Sequence, residues 1–396
     1  MSDETKASAT VSDYLRWRGD LTFAQDGFNE VDNLLLCIIS YIKLENIPRL
    51  RSFDPQDAMP MGDVCRLLTE EDEQLGLSTL DYIPLMRQAA ETPRFRDVSL
   101  FAFESLHDED RQMQFAAVSF LLPDGSVYAA YRGTDMTIVG WQEDFNMSFL
   151  SAVPAQVKAA EYAGAVARAC PRRALRIGGH SKGGNLAAWA AVHLDEKLQR
   201  QRLIAAYNND GPGFSRDLVD TPSYQAVADR LFTYIPASSI VGVLLEHAED
   251  YEVVDSTARS IMQHEPLSWC VEGPHFVHLG QRSQLGQLSD GVLREWIGSM
   301  SSREREQFSR AFFDILSRGG RTKTLEDLRS GGLAAGAALV REYAGADEEK
   351  KKIISEIFRR LAVDVKDELM KAAGAGVRRA GETILATGQA IADLRK

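Results

Sequence analysis

From residue 112 onward short apolar runs alternate with longer amphipathic stretches, a pattern that predicts strands separated by helices. Residues 113–122 and 127–131 flank Pro123-Asp124-Gly125 and predict a β-hairpin running into a buried strand. Residues 174–178, 203–208, 231–235 and 251–255 supply further strands, with helix-compatible sequence between them, including 155–169. Such alternation predicts an α/β fold, a mostly parallel central sheet with helices on both faces. Upstream, residues 13–105 read as helical and mixed, broken by the turn signals Asp54-Pro55 and Met59-Pro60. The longest apolar run, Leu34-Leu35-Leu36-Cys37-Ile38-Ile39, extends through Tyr41 and Ile42 but is too short to span a bilayer, so it predicts a buried helix. Beyond residue 330 the chain turns rich in Ala and Gly, and Ile353, Ile357, Leu361, Val365 and Leu369 recur every fourth residue among charges. Three parts follow: a flexible start at 1–12, a main domain at 13–330 with a helical N-terminal portion, and an amphipathic helical extension at 331–396.

A chain of 396 residues with 44% hydrophobic content can bury one large core and still leave a small appendage. Its formal net charge of -12 provides no electrostatic footprint for nucleic acid, which is excluded as a partner. Cys37, Cys65, Cys170 and Cys270 are far apart, with neither metal-ligand spacing nor a paired framework, and they fit a reducing compartment. The first twelve residues are polar and mixed in charge, without a basic start leading into an apolar stretch. The expected location is therefore the cytoplasm.

Candidate chemistry begins at Gly179-His180-Ser181-Lys182-Gly183, which follows the strand at 174–178 and precedes the helix-forming Gly184-Asn185-Leu186-Ala187-Ala188-Trp189. Strand, tight turn and helix around G-x-S-x-G is the context of a nucleophile elbow. Small residues at 179 and 183 let strand and helix pass closely, so a strained central residue lifts its hydroxyl to the sheet edge. Ser181 is the candidate nucleophile; the plainer reading is a serine that only caps the helix. A second motif, Tyr131-Arg132-Gly133-Thr134-Asp135 with Trp141 and Asp144 beyond it, ends a strand. There Thr134 can serve an oxyanion hole whose second donor is the Lys182 backbone N–H at the positive end of a helix. Read alone, the same residues are a polar turn in which Arg132 pairs with Asp135 or Asp144.

Taken together, Tyr-Arg-Gly-Thr at 131–134 and Gly-His-Ser-Lys-Gly-Gly at 179–184 resemble the core of class 3 (fungal-type) lipases of the α/β-hydrolase superfamily. That resemblance implies an acyl hydrolase with Ser181 as nucleophile and Thr134 in the oxyanion hole. Over residues 13–330 the chain resembles the bacterial Mbeg1-like proteins more closely. The residues that carry this are Asp13-Tyr14-Leu15-Arg16-Trp17-Arg18-Gly19-Asp20, Phe28-Asn29-Glu30-Val31-Asp32, Asn209-Asp210-Gly211-Pro212-Gly213-Phe214, Ser238-Ser239-Ile240-Val241-Gly242 and Gln263-His264-Glu265-Pro266 with Trp269. Lys182 stands where lipases usually carry an apolar residue.

A serine hydroxyl needs a base, and the base needs an orienting carboxylate, here sought in the chain order Ser, acid, His. Of the seven histidines, His107 and His180 precede Ser181, and His193 lies on the following helix. His247 ends a helix expected after 241–245, while His275 and His278 are the reserve bases, in a strand-like stretch where a structural role is the plainer reading. His264, in an irregular segment after the strand at 251–255, is the chosen base. In class 3 lipases the acid follows the strand corresponding to 232–235, but Pro236-Ala237-Ser238-Ser239-Ile240-Val241 contains no carboxylate. Asp210, at the end of the preceding strand, is the chosen acid, with Glu246, Asp250 and Asp255 as alternatives and a simple Asp-Gly-Pro turn as the plainer reading. Ser238 and Ser239 either hydrogen-bond Asp210 or the substrate, or cap a helix from Ile240. A Ser181/Lys182 dyad is set aside because neighbouring side chains on a sharp elbow diverge.

The expected protein is thus an α/β-hydrolase that cleaves carboxylic, lipid-like esters through an acyl-enzyme, with no metal or organic cofactor. The C-terminal helix suits peripheral membrane contact or self-association. The rival expectations are a non-catalytic hydrolase-fold scaffold and an acyltransferase.

Overall fold

The computed structural model describes residues 8–69, 82–134, 138–239, 241–247, 249–283, 286–287, 296, 299–317, 343–346, 348, 350–355 and 359. Two compact units emerge, one made of Met1–Asp135 with Pro154–Ser283, the other of Met136–Val153 with Gln284–Lys396.

The first unit is built on a nine-stranded sheet. Its strands are β1 (Met59–Pro60), β2 (Ser99–Asp108), β3 (Met113–Leu121), β4 (Val127–Tyr131), β5 (Leu175–His180), β6 (Leu203–Asn209), β7 (Leu231–Pro236), β8 (Tyr251–Val254) and β11 (His278–Leu279), ordered 1-2-3-4-5-6-7-8-11. Strands β4 to β8 run parallel, whereas β1 to β4 and the β8–β11 pair are antiparallel. A small antiparallel pair, β9 (Val271–Glu272) and β10 (His275–Phe276), stands apart from it.

The expected hairpin is β3–β4, turning through Gly125 at φ 84°, where a side chain would be strained. Strand β2 lies in the stretch read as helical. Its buried run Leu100-Phe101-Ala102-Phe103 lacks two-residue alternation because the register shifts between Phe101 and Glu104. Ala102 sits there at φ 53°, its N–H bonded to the Ser52 carbonyl at 2.9 Å and its carbonyl accepting from Tyr162 Oη at 2.7 Å. Side-chain and loop partners thus replace part of the ladder, as at a β-bulge.

Helices cover both faces. Tyr128 of β4 reaches α2 (Glu30–Ile39), donating to Asn33 Oδ1 at 2.7 Å. Three residues on, Tyr131 points to the opposite face and donates to the Ala159 carbonyl of α3 (Pro154–Ala169) at 2.8 Å. This is the alternation of a strand buried on both sides. Helix α2 fulfils the expectation for the apolar run: Asn29 caps it, accepting from the Val31 and Asp32 amides at 3.0 Å, and nine of its ten residues are buried. Helix α4 (Lys182–His193) follows β5 directly. A Cβ at Gly179 would run into the Gly183 backbone, and one at Gly183 into the Tyr131 carbonyl, so this crossing requires glycine at both.

The N-terminal layer is fixed by a buried ion pair. Arg94, fully buried, grips the equally buried Asp32 through Nε at 2.7 Å and Nη2 at 2.5 Å. Its remaining N–H groups meet the Leu21, Asp26 and Gly27 carbonyls, Tyr14 Oη donates to Asp32 Oδ1, and Phe23 lies 4.5 Å beneath the guanidinium.

In the second unit, Phe145 of the helix Ile138–Asn146 packs on Phe308 of the helix Ser302–Ser317 with ring centroids 5.4 Å apart. Met300, Ala311, Ala346 and Ile354 complete a small core there. Ile353 packs against that core, whereas Ile357, Leu361, Val365 and Leu369 lie outside the described residues, as does most of the expected extension. Among the described residues no helix is long and apolar enough to cross a membrane, and all four cysteines are free and buried.

Replacing Asp32 by Ala leaves the Arg94 guanidinium charged and buried without its partner. Urea unfolding is expected to show a loss of roughly 3–5 kcal/mol. A loss below about 1 kcal/mol would mean that the pair does not hold this layer.

Candidate active site

Ser181 is set on the turn between β5 and α4 with φ 59° and ψ −133°, in the left-handed half of backbone space that few non-glycine residues adopt. Its N–H donates to the Asn209 carbonyl at 2.9 Å, and a side chain at Gly211 would collide with the Ser181 carbonyl. The elbow therefore lies directly against the end of β6, where Asp210 begins the next turn.

Asp210 is itself at φ 54° and fully buried. Its carboxylate accepts from His264 Nδ1 at 2.6 Å, from Ser239 Oγ at 2.6 Å and from the Gly242 N–H at 3.1 Å. A buried charge without such partners would be costly, so these bonds dictate how the surrounding loops run. Residues 241–245 form turns rather than the expected helix. Extending a helix from Ile240 would remove the Gly242 amide from Asp210. Of the two serines, Ser239 meets Asp210; Ser238 instead pairs with Ser283 Oγ at 2.6 Å and presents its N–H to Gln263 Oε1 at 2.6 Å. Asn185 of α4 holds the Asp210 loop from the other side through the Pro212 and Gly213 carbonyls.

His264 closes a short 3-10 turn, Ser260–His264, with its side chain 12% exposed. Because Nδ1 faces the carboxylate, the proton sits there and Nε2 is left as the basic nitrogen. The ring lies 4.6 Å from the ring of His180, centroid to centroid. His180 Nε2 donates to the His264 carbonyl at 2.8 Å, which leaves Nδ1 as an acceptor, 3.0 Å from Tyr41 Oη. Burial, and then the neighbouring His264, hold the His180 pKa well below the usual histidine value. His180 is thus a neutral support for His264, as its adjacency to Ser181 on the elbow allows.

The Arg132-Gly133-Thr134 segment runs beside Ser181. A Cβ at Gly133 would stand 3.1 Å from Ser181 Cβ and 2.7 Å from the His180 carbonyl oxygen, and would strike Tyr41 Oη. Thr134 follows at once, partly buried, while Asp135 lies outside the described residues. Lys182 opens α4 with its side chain buried and its ammonium 2.9 Å from Gln114 Oε1 on β3.

Several residues at the site carried no sequence signal. Tyr41 and Asn33 come from the N-terminal helical layer: Asn33 Nδ2 donates to Asn209 Oδ1 at 2.9 Å, and Asn209 Nδ2 donates to the Gly179 carbonyl at 2.9 Å. His247 presents Nε2 to the Gly242 carbonyl at 2.7 Å and Nδ1 to Glu249 Oε1 at 3.1 Å, fixing the turn whose amide reaches Asp210. Burial would raise the Glu249 pKa, but His247, Thr233 and Tyr224 around it lower it overall. Of the reserve bases, His278 meets Glu30 and Glu252 and His275 faces Glu30, while the alternative acid Asp255 accepts from the Ser256 N–H. His193 stacks on Trp189 at 3.9 Å, and Glu246 pairs through its backbone with Phe214.

A nine-stranded, mostly parallel sheet with a serine elbow after β5 defines an α/β-hydrolase-like fold. The chain belongs to the Mbeg1-like family, whose profile matches residues 89–314. Among solved structures it is similar to a Rhizomucor miehei lipase in its propeptide complex, at 16% identity and a TM-score of 0.33, covering 44% of this chain and 71% of that one. It is also similar to M37 lipase, at 15% identity and a TM-score of 0.34, covering 55% of this chain and 70% of that one. No curated protein matches the chain.

The depressed His180 pKa has a testable sign. Below about pH 6.5 the unfolded chain gains a proton at this residue that the native protein does not, so stability present above that pH falls as the solution is acidified. Urea unfolding at pH 7.0 and 5.5 is expected to show a smaller acid loss in His180→Gln, by up to about 1.4 kcal/mol per pH unit. Equal losses in both proteins would contradict a neutral, buried His180.

Proposed function

We propose that the protein hydrolyses carboxylic esters through an acyl-enzyme on Ser181. The observation that carries this reading is the buried Asp210 carboxylate, bonded to His264 Nδ1 at 2.6 Å, beside a serine held in a strained elbow. His264 Nε2 takes the hydroxyl proton as Ser181 Oγ attacks the ester carbonyl, and Asp210 stabilises the imidazolium without accepting the proton. The negative charge on the carbonyl oxygen is met by Thr134 and by the Lys182 N–H at the start of α4. When the tetrahedral intermediate collapses, His264 returns the proton to the leaving alcohol. Water then enters, loses a proton to Nε2, attacks the acyl carbon and releases the acid, while Ser181 Oγ recovers the proton. The proximity of Gly133 to Ser181 Cβ supports Thr134 in its role. Lipid-like acyl esters are the substrate class suggested by the resemblance in the two motifs. The cytoplasm remains the proposed location, with peripheral membrane contact or self-association assigned to the C-terminal extension.

Fluorophosphonate labelling of the purified chain tests the activated serine, and a p-nitrophenyl ester series of increasing chain length reads the pocket. Labelling is expected to vanish in Ser181→Ala, and ester turnover to fall by about 10⁴-fold or more in Ser181→Ala and His264→Ala. Asp210→Asn is expected to lower kcat by roughly 10⁴-fold, through the wrong His264 tautomer. Folded wild-type protein that neither labels nor turns over any ester of the series would favour the scaffold reading. Acyl transfer to an added alcohol outrunning hydrolysis would favour the acyltransferase.

A further inference from the structure

Away from the serine site, two imidazoles and one carboxylate converge where the start of α2 meets the far edge of the sheet. Glu30, His275 and His278 each offer one ligand atom, and these atoms all lie within 4.8 Å of one another. Glu30 Oε1 is 2.9 Å from His278 Nε2 and 3.6 Å from His275 Nδ1. We propose that these three residues bind a divalent transition-metal ion of the zinc class, which ties α2 to β10 and to β11 at the edge of the large sheet.

Geometry supports the assignment. Ligand atoms around a tetrahedral ion at zinc distances stand roughly 3.3 Å apart, within the range set by these contacts. His275 is 65% exposed at its side chain, so its ring can turn to complete the set. Two neutral imidazoles with one carboxylate suit zinc, whereas calcium and magnesium require mostly oxygen ligands. Three protein ligands leave a fourth position for water.

The surroundings are those of a held ligand set. Tyr234 Oη donates to Glu30 Oε2 at 2.9 Å, and the Phe276 N–H donates to Oε1, so the carboxylate is fixed with one oxygen turned toward both rings. Glu252 Oε2 lies 2.5 Å from His278 Nδ1, the carboxylate–imidazole arrangement that orients a metal-binding histidine. His278 thus has a carboxylate at each ring nitrogen, and His275 is aimed at the same Glu30 oxygen. Binding would clamp residues about 245 apart in the chain. Phe276, between the two histidines, packs on Trp269 at 5.2 Å, and Trp269 Nε1 donates to the Gln263 carbonyl next to His264. The ion would therefore brace the segment that carries the base while taking no part in the reaction.

The test uses tag-free, full-length protein, stripped with a chelator and titrated with ZnCl₂ by calorimetry, with Co²⁺ absorption reporting coordination. Wild type is expected to bind one equivalent and to gain thermal stability on loading. His275→Ala, at an exposed position that does not threaten folding, and His278→Ala are expected to weaken binding at least 100-fold and to lose the thermal gain. Glu252→Gln is expected to weaken it 10- to 100-fold. Failure of wild type to take up stoichiometric zinc, or uptake unchanged in His275→Ala, would overturn the proposal. Fluorophosphonate labelling of the zinc-free protein reports the serine site separately, so neither result can be mistaken for the other.

Discussion

A fully buried carboxylate at Asp210 is the constraint around which the site is organised. Burying that charge is tolerable only with hydrogen bonds to its oxygens, and the three donors come from two segments: Ser239 and Gly242 on the loop after β7, and His264 on the 3-10 turn Ser260–His264. The loop after β7 and the 3-10 turn before Trp269 must therefore close together onto the end of β6. Each is secured from behind, the first by His247 on the Gly242 carbonyl and the second by Gln263 spanning Ser238 and Ala258. Losing any one donor would strand part of a charge in a dry environment. For that reason the geometry around His264 depends on residues that never approach Ser181.

The N-terminal helices contribute to the same end by a different route. Helix α2 is apolar from Leu34 to Ile39, but its first turn places Asn33 against Asn209, one residue before Asp210, and the chain just past its end delivers Tyr41 to His180, one residue before Ser181. Both contacts are buried and polar, and each needs its partner at a fixed distance. The Arg94–Asp32 pair, which locks the first turn of α2 to the loop at 21–27, thereby sets the position of a helix that supports the two residues flanking the proposed chemistry.

What could be read from the sequence was local. Gly179 and Gly183 lie within one elbow, and Pro123-Asp124-Gly125 lies within one hairpin, so spacing alone conveyed their geometry. The choice of Asp210 and His264 needed chain order as well, and the two are hydrogen-bonded partners in the fold. The unreadable features depend on residues distant in the chain. Strand β2 lost its alternation to a bulge whose partners are Ser52 and Tyr162, and the helix expected at 241–245 gave way because Asp210 takes the Gly242 amide. Tyr41 reaches His180 across 139 positions, and nothing near either residue signals the pairing. Glu30, His275 and His278 have the same character, since no spacing rule links a helix start to a hairpin about 245 residues later.

Two histidine rings only 4.6 Å apart present an electrostatic problem that the fold resolves by unequal treatment. His180 is sealed from solvent, and its Nε2 proton is committed to the His264 carbonyl, so burial penalises a second proton there. His264 is partly exposed and faces the Asp210 carboxylate, so a positive charge on it is compensated. Had both rings been equally basic, charge on one would have opposed charge on the other. With one ring held neutral, a proton leaving the Ser181 hydroxyl in the proposed reaction would have a single destination. The neutral ring also anchors the backbone of His264, so the element that prevents electrostatic competition is the one that holds that residue in place.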